Sequence, residues 1–158
     1  MNAMTDRRLE LMEQWMSLAL EEAQTAAQEH EVPVGAVAIS GGDLVAKDHN
    51  RSIQLHDPTA HAEQLVLRQA GKKLSNYRLN KLEVYVTLEP CAMCAGALAW
   101  ARVKQLIFGA RDKKAGAVCS KVSLLSEGLF NHHIQVVEGV LADPCREILQ
   151  QFFSERRS

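Results

Sequence analysis

Apolar positions recur at helical spacing over residues 5–29, at Leu9, Met12, Trp15 or Met16, Ala19, Ala23 and Ala26. That spacing predicts an amphipathic helix with one core-facing stripe. The period then shortens. Val34–Ile39 is a brief apolar run, Gly41-Gly42 a turn and Leu44–His49 a second run, which together predict a hairpin. Asp57-Pro58-Thr59 predicts a helix start, with Asp57 as cap and Pro58 at the first helical position. That helix is expected over about 59–70, stopping near Gly71. Glu83–Leu88 alternates and is rich in β-formers, so it predicts a third strand. An Ala- and Leu-rich helix is expected over 91–101 and a fourth strand over Gln105–Gly109. Residues 110–133 read as irregular, with a helical turn at 122–126. Ile134–Val140 predicts a fifth strand, and Asp143-Pro144 opens a last helix over about 143–156.

The order α-β-β-α-β-α-β-β-α predicts an α/β fold, a mixed five-stranded sheet with helices on both faces. Parallel pairing through right-handed crossovers is expected in its middle. In such sheets, sites form where helix N-termini meet strand ends. The length of 158 residues suits a single domain spanning 1–158.

Composition narrows the class. Apolar residues make up 47% and charged residues 23%, which excludes a disordered chain. Lys plus Arg is 18 and Asp plus Glu is 19, a net charge of −1. No overall positive charge announces a nucleic-acid partner, so any such partner must meet a local basic patch. The start MNAMTDRRLELMEQW has no apolar signal core, and no apolar stretch is long enough to span a bilayer. Four cysteines in such a chain fit metal or catalytic use better than a disulfide scaffold. A cytoplasmic location is expected.

Chemistry concentrates in His61-Ala62-Glu63 and Pro90-Cys91-Ala92-Met93-Cys94. Cys91 and Cys94 are three apart at a predicted helix start, so they share a face. Two thiolates at that spacing can grip one metal ion; a redox dithiol or two inert core cysteines are the plainer readings. His61, at the start of the neighbouring helix, tips the balance to metal. One imidazole and two thiolates match an open catalytic zinc site, one ion per subunit. A closed structural site needs a fourth ligand, for which Cys119, His56, His132 and His133 are the candidates. Glu63, two residues from His61, would face away in a regular helix; at an irregular first turn it can enter the same cleft and shuttle protons. H-x-E followed by P-C-x-x-C is the signature of zinc nucleobase deaminases.

Longer stretches carry the resemblance further. Val32-Pro33-Val34-Gly35-Ala36-Val37, Asn50, His56-Asp57-Pro58-Thr59-Ala60-His61-Ala62-Glu63, Asn76-Tyr77-Arg78-Leu79, Tyr85 through Ala97, Phe108–Asp112, Asn131-His132 and Glu138–Asp143 resemble the bacterial tRNA adenosine deaminases (TadA type) of the cytidine deaminase-like superfamily. The resemblance covers about residues 11–153. It implies a three-layer α/β/α cytidine deaminase-like fold. It also implies hydrolytic deamination of adenosine to inosine at the wobble position (34) of a tRNA, an arginine tRNA foremost. A zinc-activated hydroxide would be held by His61, Cys91 and Cys94, with Glu63 as proton shuttle. Asn50 matches the family residue that contacts the base. Ala62 and the strand end with Glu89 and Pro90 would lie near the purine, with Pro33, Val34 and Leu88 as an apolar wall. Asp112 matches a family position near the substrate nucleotides. A homodimer is implied, with the helix Ala95–Ala101 as a surface able to pack closely.

RNA phosphates need cations and unstacked bases need flat partners. The candidate cations are Arg111, Lys113, Lys114, Arg156 and Arg157; the candidate flat partners are Phe152 and Phe153. Three positions depart from the family pattern: His49 stands where a tryptophan can occur, Glu127 where a histidine can, and His133 where an arginine can. The rival expectations are a deaminase of a free base or nucleoside, such as guanine or cytidine, and a zinc-stapled interaction module without catalysis.

Overall fold

A computed structural model describes residues 3–126 and 128–157; Glu127 lies outside the described residues. The chain runs α1 (Ala3–Gln28), β1 (Gly35–Ser40), β2 (Asp43–His49), α2 (Ala62–Leu74), β3 (Leu82–Leu88), α3 (Ala92–Trp100), β4 (Gln105–Ala110), β5 (Gln135–Glu138) and α4 (Ala142–Arg157). The strands form one sheet in the order β2-β1-β3-β4-β5. β1 pairs antiparallel with both β2 and β3, whereas β3–β4 and β4–β5 are parallel. The expected mixed five-stranded sheet is present.

Alternation along the strands builds three layers. Val37, Ile39, Tyr85 and Ile107 point to one face and pack with Met12, Met16 and Ala19 of α1 and Cys145 of α4. Ala36, Ala38, Val84, Val86, Leu106 and Phe108 point to the other face, under Val66 of α2 and Leu98 of α3. Neighbours along a strand face opposite ways, so one sheet feeds two cores.

The turns explain several boundaries. Gly41 (φ 59°) and Gly42 (φ 82°) both take left-handed backbone, as a two-residue hairpin loop requires. The helix expected at Thr59 begins three residues later. Asp57 is spent locally: its carboxylate accepts from the Thr59 N–H at 2.8 Å and the Thr59 hydroxyl at 2.7 Å. The chain then turns through Pro58-Thr59, with the Ala60 N–H donating to the Asp57 carbonyl, before His61, in extended backbone, becomes the N-cap of α2. Gly71 does not stop α2, which runs to Leu74 and ends at Ser75 in a left-handed conformation (φ 52°). The segment 122–126 forms turns rather than a helix. β5 is shorter than expected, because Gly139 (φ 83°) and Leu141 (φ 53°) turn the chain out of the sheet. Leu9, placed in the core stripe by spacing, is 45% exposed, whereas Met12, Met16, Ala19, Ala23 and Ala26 are buried. Among the described residues, no helix is long and apolar enough to cross a membrane.

Gly35 sets how closely α1 lies on the sheet. A Cβ there would sit 2.0 Å from the Ala19 carbonyl oxygen and 2.6 Å from the Ala23 nitrogen, both backbone atoms. Gly35→Ala must therefore push α1 off β1. It is expected to destabilise the protein by about 3 kcal/mol, at the upper end of overpacking effects; chemical denaturation of the two proteins checks it.

Candidate active site

Two helix starts face each other at one end of the sheet. His61 is the N-cap of α2 and Cys91 the N-cap of α3, both in extended backbone, and neither side chain makes a capping bond. Instead the side chains converge. His61 Nδ1 is 3.6 Å from Cys91 Sγ and 3.5 Å from Cys94 Sγ. The three donor atoms lie close enough to hold one metal ion. A tetrahedral zinc, with nitrogen at about 2.0 Å and sulfur at about 2.3 Å, puts the two about 3.5 Å apart, so the donor set fits zinc in chemistry and in spacing. None of Cys119, His56, His132 and His133 joins the group among the described residues. The Cys119 thiol lies 3.4 Å from Glu138, and the His132 ring lies 2.8 Å from the Val103 carbonyl.

Charge at the site follows from the same geometry. Hydrogen bonds from Cys94 and His61 hold the Cys91 thiol down at about 3, while Cys94, donating to Cys91 and buried, is pushed up. The contact with Cys91 raises His61. Two helix N-termini aimed at the group also favour negative charge there.

Glu63 is the second residue of α2 and only 4% exposed. The spacing argument that turned it away from His61 fails because His61 is not helical. The extended N-cap frees the His61 side chain from the helical period, so both groups face α3. Burial pushes the Glu63 carboxyl up to about 7, opposed by its own N–H, the His61 charge and the Cys94 thiol.

Asn50 follows β2 and reaches across to α2. Its side-chain oxygen accepts the Ala62 N–H at 2.8 Å, one of the donors that a helix start leaves without a partner. That bond leaves the amide NH2 as the half able to donate elsewhere. Ala62, Pro33, Val34 and Pro90 are buried and Leu88 half-buried.

The Glu89 side chain is engaged within the fold: its carboxylate accepts from the Asp112, Val118, Cys119 and Ser120 N–H groups and from the Ser120 hydroxyl. The Asp112 carboxylate is likewise taken up by a turn, accepting from the Lys114 and Ala115 N–H groups.

Most RNA-contact candidates come together. Arg111, Asp112, Lys113, Lys114, Phe153, Arg156 and Arg157 line a groove of about 640 Å³, with Val32, Leu88 and Leu149 as apolar lining. Phe152 does not join them. Its ring is buried beneath the Arg156 guanidinium, 4.0 Å away, and edge-on to Phe153, which is exposed. Arg111 is clamped by Glu138 through two bonds of 2.8 and 3.0 Å.

Sequence reasoning missed the groups that pin the rim of the site. Glu31 is buried and accepts the Ile53 and Gln54 N–H groups at 3.1 and 2.7 Å. Asp48 holds Arg51 at 2.6 Å and Gln69 at 2.6 Å. His49, at the position where the family can carry tryptophan, is buried with its ring nitrogens 3.0 Å from Glu22 and 2.8 Å from Glu29. Glu22, Asp48 and His49 also lie within metal-binding distance of one another, but these bonds already engage them. The one available signal was polarity in an otherwise apolar hairpin.

The chain matches the MafB19-like deaminase family over residues 11–157. It is 45% identical over 151 residues to a tRNA-specific adenosine deaminase of Haemophilus influenzae, covering 95% of this chain and 87% of that one. The chain belongs to the tRNA-specific adenosine deaminase family. A solved structure from work on A-to-I editing by tRNA:A34 deaminases at the wobble position superposes on this family member with a TM-score of 0.84 at 44% identity, covering 86% of this chain and 99% of that one. A guanine deaminase from Nitrosomonas europaea superposes with a TM-score of 0.79 at 26% identity, over 90% and 84% of the two chains. The cytidine deaminase-like fold expected from the sequence is therefore observed, with its four helices and mixed sheet.

The buried Glu63 gives a stability test. With its folded pKa raised by burial to about 7 from an ordinary 4.5, the metal-free folded state holds a proton that the unfolded state has lost between those values. Stability then falls as pH rises through that window and stays lower above it. Metal-free Glu63→Gln, which cannot ionise, is expected to be more stable than metal-free wild type at pH 8 and about equal to it at pH 4, read by urea denaturation.

Proposed function

We propose that this protein hydrolyses adenosine to inosine and ammonia at the wobble position of a tRNA, with an arginine tRNA as the substrate of first choice. The observation that carries this reading is the meeting of His61, Cys91 and Cys94 around one point with Glu63 buried beside it. Its membership of the tRNA-specific deaminase family supports the choice of substrate.

His61, Cys91 and Cys94 would hold a zinc ion, which would supply Lewis acidity and ease the ionisation of water at neutral pH. Glu63 takes one proton from the water that attacks C6 of adenine and delivers it to N1; it then takes the second from the C6 hydroxyl as the carbonyl forms and gives it to the amine, so that the C–N bond breaks and ammonia leaves. Its burial suits that cycle, since a carboxyl poised near neutrality both accepts and returns a proton. Asn50, fixed by the Ala62 N–H, presents its amide NH2 to the base. Pro33, Val34 and Leu88 form the apolar wall, and the backbone of Ala62, Glu89 and Pro90 borders the purine.

The target base lies in a single-stranded loop, so flipping it into the site costs only a few kcal/mol. The groove between Arg111–Lys114 and the end of α4 takes the flanking nucleotides. Lys113, Lys114, Arg156 and Arg157 meet phosphates, and exposed Phe153 offers a stacking face. This local patch resolves the neutral overall charge. A tRNA substrate requires action in the cytoplasm.

The protein acts as a homodimer. α3 is apolar along its whole length, yet Trp100 is 80% exposed, and nearby Tyr77 is 75% exposed. With Leu67, Leu79 and Ala97 they line a cavity of about 960 Å³. A bare apolar surface of that kind marks an association face, and a second copy is its occupant.

The test is inosine formation, by mass spectrometry, on an arginine-tRNA anticodon stem-loop with adenosine at the wobble position, beside free adenosine, cytidine and guanine. Inosine in the stem-loop alone is expected. Turnover of a free base alone would move the protein to the small-molecule deaminases. Glu63→Gln is expected to keep fold and metal and to lose about a hundred- to ten-thousand-fold in turnover; near-normal turnover would remove Glu63 from its role.

A further inference from the structure

Glu89 is only 2% exposed, one residue from Leu88 in the groove and two from Cys91, and its side chain is turned into the segment 112–120. Oε1 accepts from the Asp112 N–H and the Ser120 hydroxyl; Oε2 accepts from three successive N–H groups, Val118, Cys119 and Ser120. The backbone adds two more ties: Glu89 N–H to the Ala110 carbonyl at 2.8 Å, and Ala117 N–H to the Pro90 carbonyl at 2.9 Å. Gly116 makes room for this. A Cβ there would lie 2.4 Å from the Glu89 carboxyl carbon and 2.5 Å from the Asp112 carbonyl oxygen. Five donors on one buried carboxylate are far more than a satisfied core glutamate needs, and all come from one irregular segment. That segment has no strand or helix to hold it, and it carries Lys113 and Lys114.

We propose that Glu89 is a positioning residue for RNA: it fixes the cationic wall of the groove against the strand end that carries Cys91, so that flanking phosphates and the target base are registered before binding. This inference rests on the RNA-deaminase reading above. Loss of the carboxylate frees the wall, and ordering it again is charged to binding. The cost appears in RNA affinity and in the phosphate contacts, not in the chemical step.

The test compares wild type with Glu89→Gln, Gly116→Ala and the milder Ser120→Ala, all loaded with metal. Binding of the anticodon stem-loop is read by fluorescence anisotropy across a salt series, together with KM, kcat and metal content. Stem-loop affinity and KM are expected to worsen about tenfold in Glu89→Gln and Gly116→Ala and less in Ser120→Ala. The salt slope should fall by about one for each cation withdrawn. kcat at saturation per bound metal should change little in Gly116→Ala and Ser120→Ala. Faster amide exchange confined to 112–120 should accompany the loss. Unchanged affinity and salt slope, with activity falling only in step with metal content, would make Glu89 a plain structural residue and overturn the inference. Where Glu89→Gln does not fold, Ser120→Ala decides by the same readouts. A wild type that fails to bind the stem-loop at all would overturn the RNA reading itself, a result separate from wild-type binding that the variants leave untouched.

Discussion

The convergence of two helix N-caps is the constraint on which this molecule turns. His61 and Cys91 are each an N-cap in extended backbone, and each leaves its side chain out of capping so that it can meet the other. An imidazole nitrogen between two sulfurs at 3.5–3.6 Å is a poor arrangement for an apolar core and a good one for a metal. The sheet makes the meeting possible. β3 leads into Cys91; β1, paired antiparallel to it, begins just after Val34 at the same end, and β2, antiparallel to β1, ends there just before Asn50, whose N–H donates to the Val34 carbonyl. Asn50 then closes the circuit by satisfying the Ala62 N–H that the His61 N-cap leaves open.

Around that point the protein spends buried carboxylates with unusual freedom, each in a different role. Glu63 is kept near the donor group with few partners, and burial drives it toward neutrality. Glu89, with five donors, fastens the irregular segment 112–120, and Glu31, with two N–H groups, fastens 50–56. For Glu89, desolvation pushes its carboxyl up, but the bonds from Ser120, Cys119 and Asp112 outweigh it and hold it below the usual range. The contrast is physical: a carboxylate rich in donors stays charged and holds still, whereas one poor in donors can exchange a proton.

Much of this was legible in the sequence, for identifiable reasons. The strands and the outer helices follow from periodicity, and the Gly41-Gly42 turn from chirality. The metal-binding trio follows from ligand chemistry at helix starts. What was misread lies where side chains compete with the backbone. Asp57 looks like a helix cap but satisfies Thr59 first, which delays α2 to His61 and so undoes the argument about where Glu63 points. Phe152 and Phe153 read alike as stacking partners, yet the helical period buries the first and exposes the second. Glu89 sits in the motif, and the partners of its side chain went unread. Its five donors come from residues more than twenty positions away, and no local pattern announces them.

The central claim is that this site is an open one, with one imidazole and two thiolates as its protein ligands. The most direct measurement is X-ray absorption at the zinc edge of the purified, zinc-loaded protein. The account predicts two sulfur scatterers at about 2.3 Å and a single imidazole at about 2.0 Å. Three or four sulfurs, or two imidazoles, would mean a closed structural centre and would contradict it.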